Sequence, residues 1–200
     1  MSKVLYIKAN AKEEGVSRTF RISDSFIEKY KELNPNDEII TLDLYKEGIG
    51  FLTEEGISLH RPKPGEGKEH PILKYAYQFA EVDKYIVAAP FWNLSFPAIL
   101  KAYIDYICVT GITFKYTAEG PIGLCQGKKA VHIVGRGGGY SEGPAAEYEM
   151  GDRYLRTIFG FFGITDFSTI SADMVDVIGQ DVESIFKDAI EKSTQIVKNF

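Results

Sequence analysis

Apolar residues fall into two rhythms along this chain. Some form short continuous runs, most clearly Val4-Leu5-Tyr6-Ile7 and Tyr85-Ile86-Val87-Ala88-Ala89. Such runs mark strands buried on both faces of a parallel sheet. Others recur every three or four residues, the stripe of a helix packed on one side. In order, the runs predict strands at Lys3 to Ala9, Glu38 to Leu44, Lys84 to Ala89, Lys129 to Val134 and near Asp166 to Ser171. A polar loop, Asn10 to Val16, leads to a helix opened by Ser17, with Phe20, Ile22, Phe26, Ile27, Tyr30 and Leu33 broadly on one side. Further helices are predicted from about Pro71 to Glu81, Phe96 to Val109 and Ala145 to Phe162, and from Val182 to Val197. Residues 45–71, with their Gly, Pro and charge, read as a surface excursion with a short helical piece. Ile112 to Thr117 alternates at period two, and Ala118 to Gly123 reads as a turn-rich loop.

Strands alternating with helices, joined by right-handed crossovers, predict an α/β fold. It is a doubly wound five-stranded parallel sheet, order 2-1-3-4-5, with helices on both faces. The loops after strands one, three and four then meet at one edge of the sheet, where such folds bind ligands. No linker of Ser, Gly or Pro divides residues 1–200, so one domain is expected.

Composition narrows the setting. Apolar content of 44% and charged content of 26% are ordinary for a globular protein. A net charge of −5 without a Lys/Arg cluster argues against nucleic acid. The apolar runs are too short to span a membrane, and the start enters a strand without a signal peptide. A cytoplasmic protein is expected. Cys108 and Cys125 fit no metal or redox spacing, so they are expected as free thiols, with Cys108 in the core. His132 lies inside a strand and is expected to be packed. No metal site is predicted.

Three loops carry the candidate chemistry. Ser17-Arg18-Thr19 stands at a helix N-terminus, where hydroxyls and free N–H groups suit a phosphate, with Arg18 adding charge; Ser17 as an ordinary N-cap is the simpler reading. Pro90-Phe91-Trp92-Asn93-Leu94 offers a flat apolar wall with a polar handle, suited to a planar heterocycle, unless its rings only cap the core. Gly135-Arg136-Gly137-Gly138-Gly139 lets backbone approach closely and present donors, unless it is only a flexible turn. Neither G-x-G-x-x-G nor a Walker lysine is present. Phosphate seat, aromatic wall and donor-rich turn match the three parts of FMN. A chain whose cofactor carries the chemistry needs no catalytic acid–base pair.

The sequence resembles the bacterial FMN-dependent NADH-azoreductases, also described as NADH:quinone oxidoreductases, a flavodoxin-like family. The likeness rests on Met1 to Leu5, Pro90 to Leu94, Thr113 to Thr117 with Glu119-Gly120-Pro121, Gly127 to Ala130, Arg136-Gly137-Gly138, Tyr140 to Pro144 and Gly160 to Thr165. It implies that Asn10, Ser17, Arg18 and Thr19 hold the FMN phosphate. It implies that Pro90, Phe91, Trp92, Asn93 and Leu94 line the isoalloxazine, and that Gly135, Arg136, Gly137 and Gly138 close over its pyrimidine side. It further implies a homodimer with the site at its interface, Tyr116 and Phe161 beside the substrate, and NADH as co-substrate. The reaction implied is ping-pong hydride transfer through flavin N5 to quinones or azo compounds. The chain departs from the family at Ala9-Asn10, where a serine is usual, at Gly135, and in a shorter stretch from about Thr53 to Pro71. Two other readings stay open: a flavodoxin-type electron carrier, and a non-enzymatic binding module.

Overall fold

The computed structural model describes residues 1–12, 15–63 and 65–200. Glu13 and Glu14 of the predicted first loop, and Pro64 of the predicted excursion, lie outside the described residues. The elements run β1 (Lys3–Lys8), α1 (Arg18–Leu33), β2 (Glu38–Asp43), α2 (Glu54–Ser58), α3 (Leu73–Glu81), β3 (Lys84–Ala88), α4 (Ala98–Ile107), β4 (Phe114–Thr117), β5 (Gly120–Gly123), β6 (Lys129–Gly135), α5 (Gly151–Phe161), β7 (Asp166–Ala172) and α6 (Val182–Val197).

Five of these strands form one parallel sheet in the order β2-β1-β3-β6-β7. This is the expected 2-1-3-4-5 order once the hairpin strands are set aside. β1, β3 and β6 bury nearly every side chain, because helices cover both faces. On one face Leu5, Ile7, Tyr85 and Val87 pack with Leu100, Tyr103, Phe159 and Phe162 of α4 and the α5 end. On the other, Val4, Tyr6, Ile86 and Val131 pack with Phe20, Phe26 and Tyr30 of α1 and Phe186 of α6. Alternate residues of each strand thus serve opposite cores.

Two predicted elements differ. Ala118 to Gly123 is not wholly loop: Gly120–Gly123 forms β5, paired antiparallel with β4 from Phe114↔Gly123 to Thr117↔Gly120. Its Gly and Pro disguise a strand, and such residues are tolerated because this two-stranded ribbon is all edge. The helix predicted from Ala145 starts only at Gly151. Pro144–Tyr148 is a 3-10 turn, and Glu149 is extended. The Glu149 carboxylate then accepts from Asp152 N–H (2.9 Å) and Arg153 N–H (3.2 Å), capping α5 from outside. The helical piece within residues 45–71 is α2. Cys108 is half-buried beside the core, and Cys125 is buried.

Candidate active site

The carboxyl ends of β1, β3, β6 and β7 point the same way, so the chain segments that follow them converge. The phosphate-seat candidates come first. Ser17 caps α1, its Oγ accepting from Phe20 N–H at 3.1 Å. The same oxygen accepts from Asn10 Nδ2 at 2.7 Å, and Asn10 Oδ1 accepts from Lys12 N–H at 3.0 Å. Asn10 therefore shapes the loop around the α1 N-terminus. Both Asn10 and Ser17 are buried, as is Thr19. Thr19 Oγ1 accepts from Gly135 N–H at 3.2 Å, fastening the glycine turn to α1. Arg18 stays at the surface and pairs with Asp176, on the segment after β7.

The aromatic segment is a tight turn. Trp92 and Ser95 exchange backbone hydrogen bonds of 2.7 and 3.0 Å. Between them Asn93 and Leu94 both take left-handed backbone, φ 49° and 68°, as the central pair of a type I′ turn requires. Asn tolerates this conformation; Leu is strained in it. The turn presents Trp92, Asn93 and Leu94 to solvent, and Phe91 packs on Tyr140 with ring centroids 4.6 Å apart. Phe91 N–H donates to Gly135 O at 3.2 Å. The aromatic turn and the glycine turn are thus neighbours at one edge.

The glycine turn is pinned from below. Arg136 is buried, and its guanidinium meets Ser141 (3.0 Å), Asp173 (3.2 Å) and Glu149 (3.3 Å), with Phe91's ring 5.8 Å away. Its backbone N–H goes to Ala172 O and its carbonyl accepts from Val175 N–H. Arg136 therefore anchors the turn with its side chain turned into the protein. Asp173 also accepts from Tyr140 and Ser141 N–H. Gly137 and Gly138 accept from Asp176 and Met174 N–H. Among the described residues, no acceptor meets the N–H groups of Gly137, Gly138 or Gly139, so a row of backbone donors is left for an anionic or carbonyl-bearing edge.

Asn10, Lys12, Arg18, Thr19, Pro90, Phe91, Trp92, Gly135, Gly137, Val175 and Asp176 line one cleft of about 120 Å³. Pockets that enclose a drug-sized ligand span about 300–1,000 Å³. The α1 N-terminus and Arg18 on the cleft wall are donors of the kind a phosphate such as that of FMN takes, and the exposed Trp92–Leu94 face beside it suits a planar ring. At Gly137 a Cβ would lie 2.7 Å from Asp176 Oδ2, so glycine lets this segment pass close beneath that carboxylate. The residues present thus fit the group. A roomier groove of about 410 Å³ lies along β7, but of the predicted residues only Arg136 lines it.

Tyr116 and Phe161 are brought together elsewhere. Both rings pack on Phe114, with centroids 5.4 and 4.7 Å from it. The α5 helix starts beside the aromatic turn, where a Cβ on Gly151 would lie 3.3 Å from Ser95 C. At about 1.5 Å per residue the helix carries Phe161 to the other end of the sheet, close to the start of β7. The two aromatics therefore do not border this chain's own cleft.

Sequence reasoning missed Glu149, Asp173 and Asp176, which hold the glycine turn and Arg18. The signal was available: the segment after the fifth strand falls at the same carboxyl edge as the loops that were read.

The chain matches a family model described as flavodoxin-like fold over residues 2–197. An FMN-dependent NADH:quinone oxidoreductase 2 of Clostridium acetobutylicum is 78% identical over 100% of both chains. An FMN-dependent NADH:quinone oxidoreductase of Clostridium perfringens is 66% identical over 100% of both. Among solved structures, an azoreductase of Bacillus anthracis superposes with a TM-score of 0.91 at 37% identity, covering 100% of each chain. A second from that organism, described as an FMN-dependent NADH-azoreductase in complex with FMN, gives 0.88 at 25% identity over 98% of each.

Proposed function

The chain belongs to the family of FMN-dependent NADH:quinone oxidoreductases, and from that premise we propose how its own residues serve the reaction. NADH is the reductant and a quinone the acceptor; azo compounds are alternative acceptors, as the names of the structural neighbours suggest. FMN, when bound, supplies the N5 position that takes hydride and gives it up. The single observation that carries this reading is the 3.2 Å bond from Phe91 N–H to Gly135 O, which sets the aromatic turn against the glycine turn.

Each part of the crevice then has a task. The α1 N-terminus, Ser17, Arg18 and Thr19 take the phosphate. Trp92, Asn93 and Leu94 form the floor for the ring, and Asn93 offers its amide to the ring edge. The free N–H groups of Gly137 and Gly138 face the pyrimidine carbonyls and favour negative charge there. Ser17 and Thr19 hold the geometry through Asn10 and Gly135, and Arg136 does so through Asp173 and Glu149.

The protein acts as a cytoplasmic homodimer in this reading. One chain's cleft is small and leaves the Trp92–Leu94 face open, while Tyr116 and Phe161 stand at the far end of the same chain. A partner turned about a two-fold axis brings its aromatics over that face and excludes water from it. NADH and acceptor occupy that one face in turn, which makes the kinetics ping-pong. No helix among the described residues is long and apolar enough to cross a membrane.

Purified protein should be yellow, should bleach on anaerobic addition of NADH and should recover on addition of a quinone, without a partner reductase. Initial rates against both substrates should give parallel double-reciprocal lines. Protein that takes up no FMN would end the proposal. Sedimentation should show a dimer, and F161A should raise the KM for quinone while leaving FMN affinity unchanged.

A further inference from the structure

Asp176 stands where no cofactor role was expected of it. Its backbone N–H donates to Gly137 O at 3.0 Å. Its carboxylate lies over the Gly137 α-carbon, so close that a Cβ there would meet Oδ2 at 2.7 Å. The same carboxylate pairs with Arg18 from the first turn of α1. One side chain thus spans the cleft from the glycine turn to the phosphate seat, and both ends line that cleft.

The backbone carrying Asp176 is fixed. Met174 takes left-handed φ of 67°, held by Met174 N–H to Gly138 O at 3.1 Å, and Val175 N–H donates to Arg136 O at 3.2 Å. The carboxylate can swing, but its Cα cannot leave. A phosphate seated at the α1 N-terminus therefore meets a tethered source of like charge, and the cation it would use already has an anionic partner. Like charge so close opposes binding of a second anion.

We infer that Asp176 sets the affinity and selectivity of the phosphate seat by competing with the FMN phosphate for Arg18. A flavin carrying a dianionic phosphate exchanges for the carboxylate on the guanidinium, which can form the same forked bonds to either. Riboflavin, without the phosphate, leaves the Arg18–Asp176 pair closed. Asp176 is a specificity-determining residue in this account and touches no reacting atom. The inference rests on the proposed FMN reading.

The test is equilibrium titration of FMN and of riboflavin by flavin fluorescence, in wild type, D176N, D176A and R18A. Both Asp176 variants should bind FMN about threefold to tenfold tighter, in line with the loss of one partly exposed charge contact. Their riboflavin affinity should stay within about twofold. R18A should weaken FMN and leave riboflavin unchanged. FMN affinity that is unchanged or weaker in D176N and D176A would overturn the inference, because Asp176 would then be idle or would be positioning Arg18 for the phosphate. Equal tightening of FMN and riboflavin would also overturn it. Wild type that binds no FMN would remove the proposed function as well, whereas wild type that binds FMN alongside unaltered variants would sink this inference alone. Thermal melts of each variant confirm that folded proteins are compared, and Asp176 is exposed.

Discussion

His132 Nδ1 donates to Asp152 Oδ1 across 2.9 Å, tying the middle of β6 to the first turn of α5. Burial pushes the Asp152 carboxyl up, yet hydrogen bonds from His132, Thr169 and Arg156 outweigh it and hold the group well below the usual carboxylate range. A folded-state value below the unfolded one means stability that is complete above about pH 5 and is lost as the pH falls further. D152A leaves His132 buried without its partner and should destabilise the fold by about 3 kcal/mol. D152N should flatten the acid side of the stability curve. Urea melts between pH 2.5 and 7 measure both effects.

Leu94 is the strained member of the aromatic turn, at φ 68°. Glycine there removes the clash between Cβ and backbone, so L94G should raise stability by about 1 kcal/mol. The same change removes apolar surface beside Trp92, so FMN affinity should fall severalfold. Thermal melts and flavin titration on one sample test the trade-off; a variant neither stabilised nor weakened in binding would remove this account of the turn.

Gly123 locks the β4–β5 hairpin to the end of α5. A Cβ there would lie 2.1 Å from Phe162 C and 2.4 Å from Phe162 O, both backbone atoms that cannot step aside. Cys125 N–H to Phe162 O, 2.8 Å, depends on the same approach. G123A should cost about 3 kcal/mol or more. Because Tyr116 rides on the hairpin, the KM for quinone should rise more than the Kd for FMN.

Burial raises the Cys125 thiol to about 11, so at pH 8 almost none is thiolate. Iodoacetamide should leave Cys125 unmodified in the native protein and label it promptly in guanidinium chloride, as peptide mass spectrometry would show. Rapid native labelling would mean that the hairpin opens.

The parallel sheet and its helices were legible in the sequence because Val4 to Ile7 or Tyr85 to Ala89 can satisfy so long an apolar run only between two helical layers. The shared carboxyl edge followed from parallel strands joined by right-handed crossovers, and the Ser17, Phe91 and Gly137 segments with it, whereas the 2-1-3-4-5 order was expected from the fold type. Tertiary structure alone decided what depends on partners far apart in the chain. Arg136 lies inside because Asp173 and Glu149 wait there to neutralise it, and Arg18 faces Asp176 across 158 residues. Tyr116 and Phe161 sit at the far end of the sheet because α5 runs back along it. Local pattern records which face of an element is buried; it carries no signal for charges that meet only after the sheet closes.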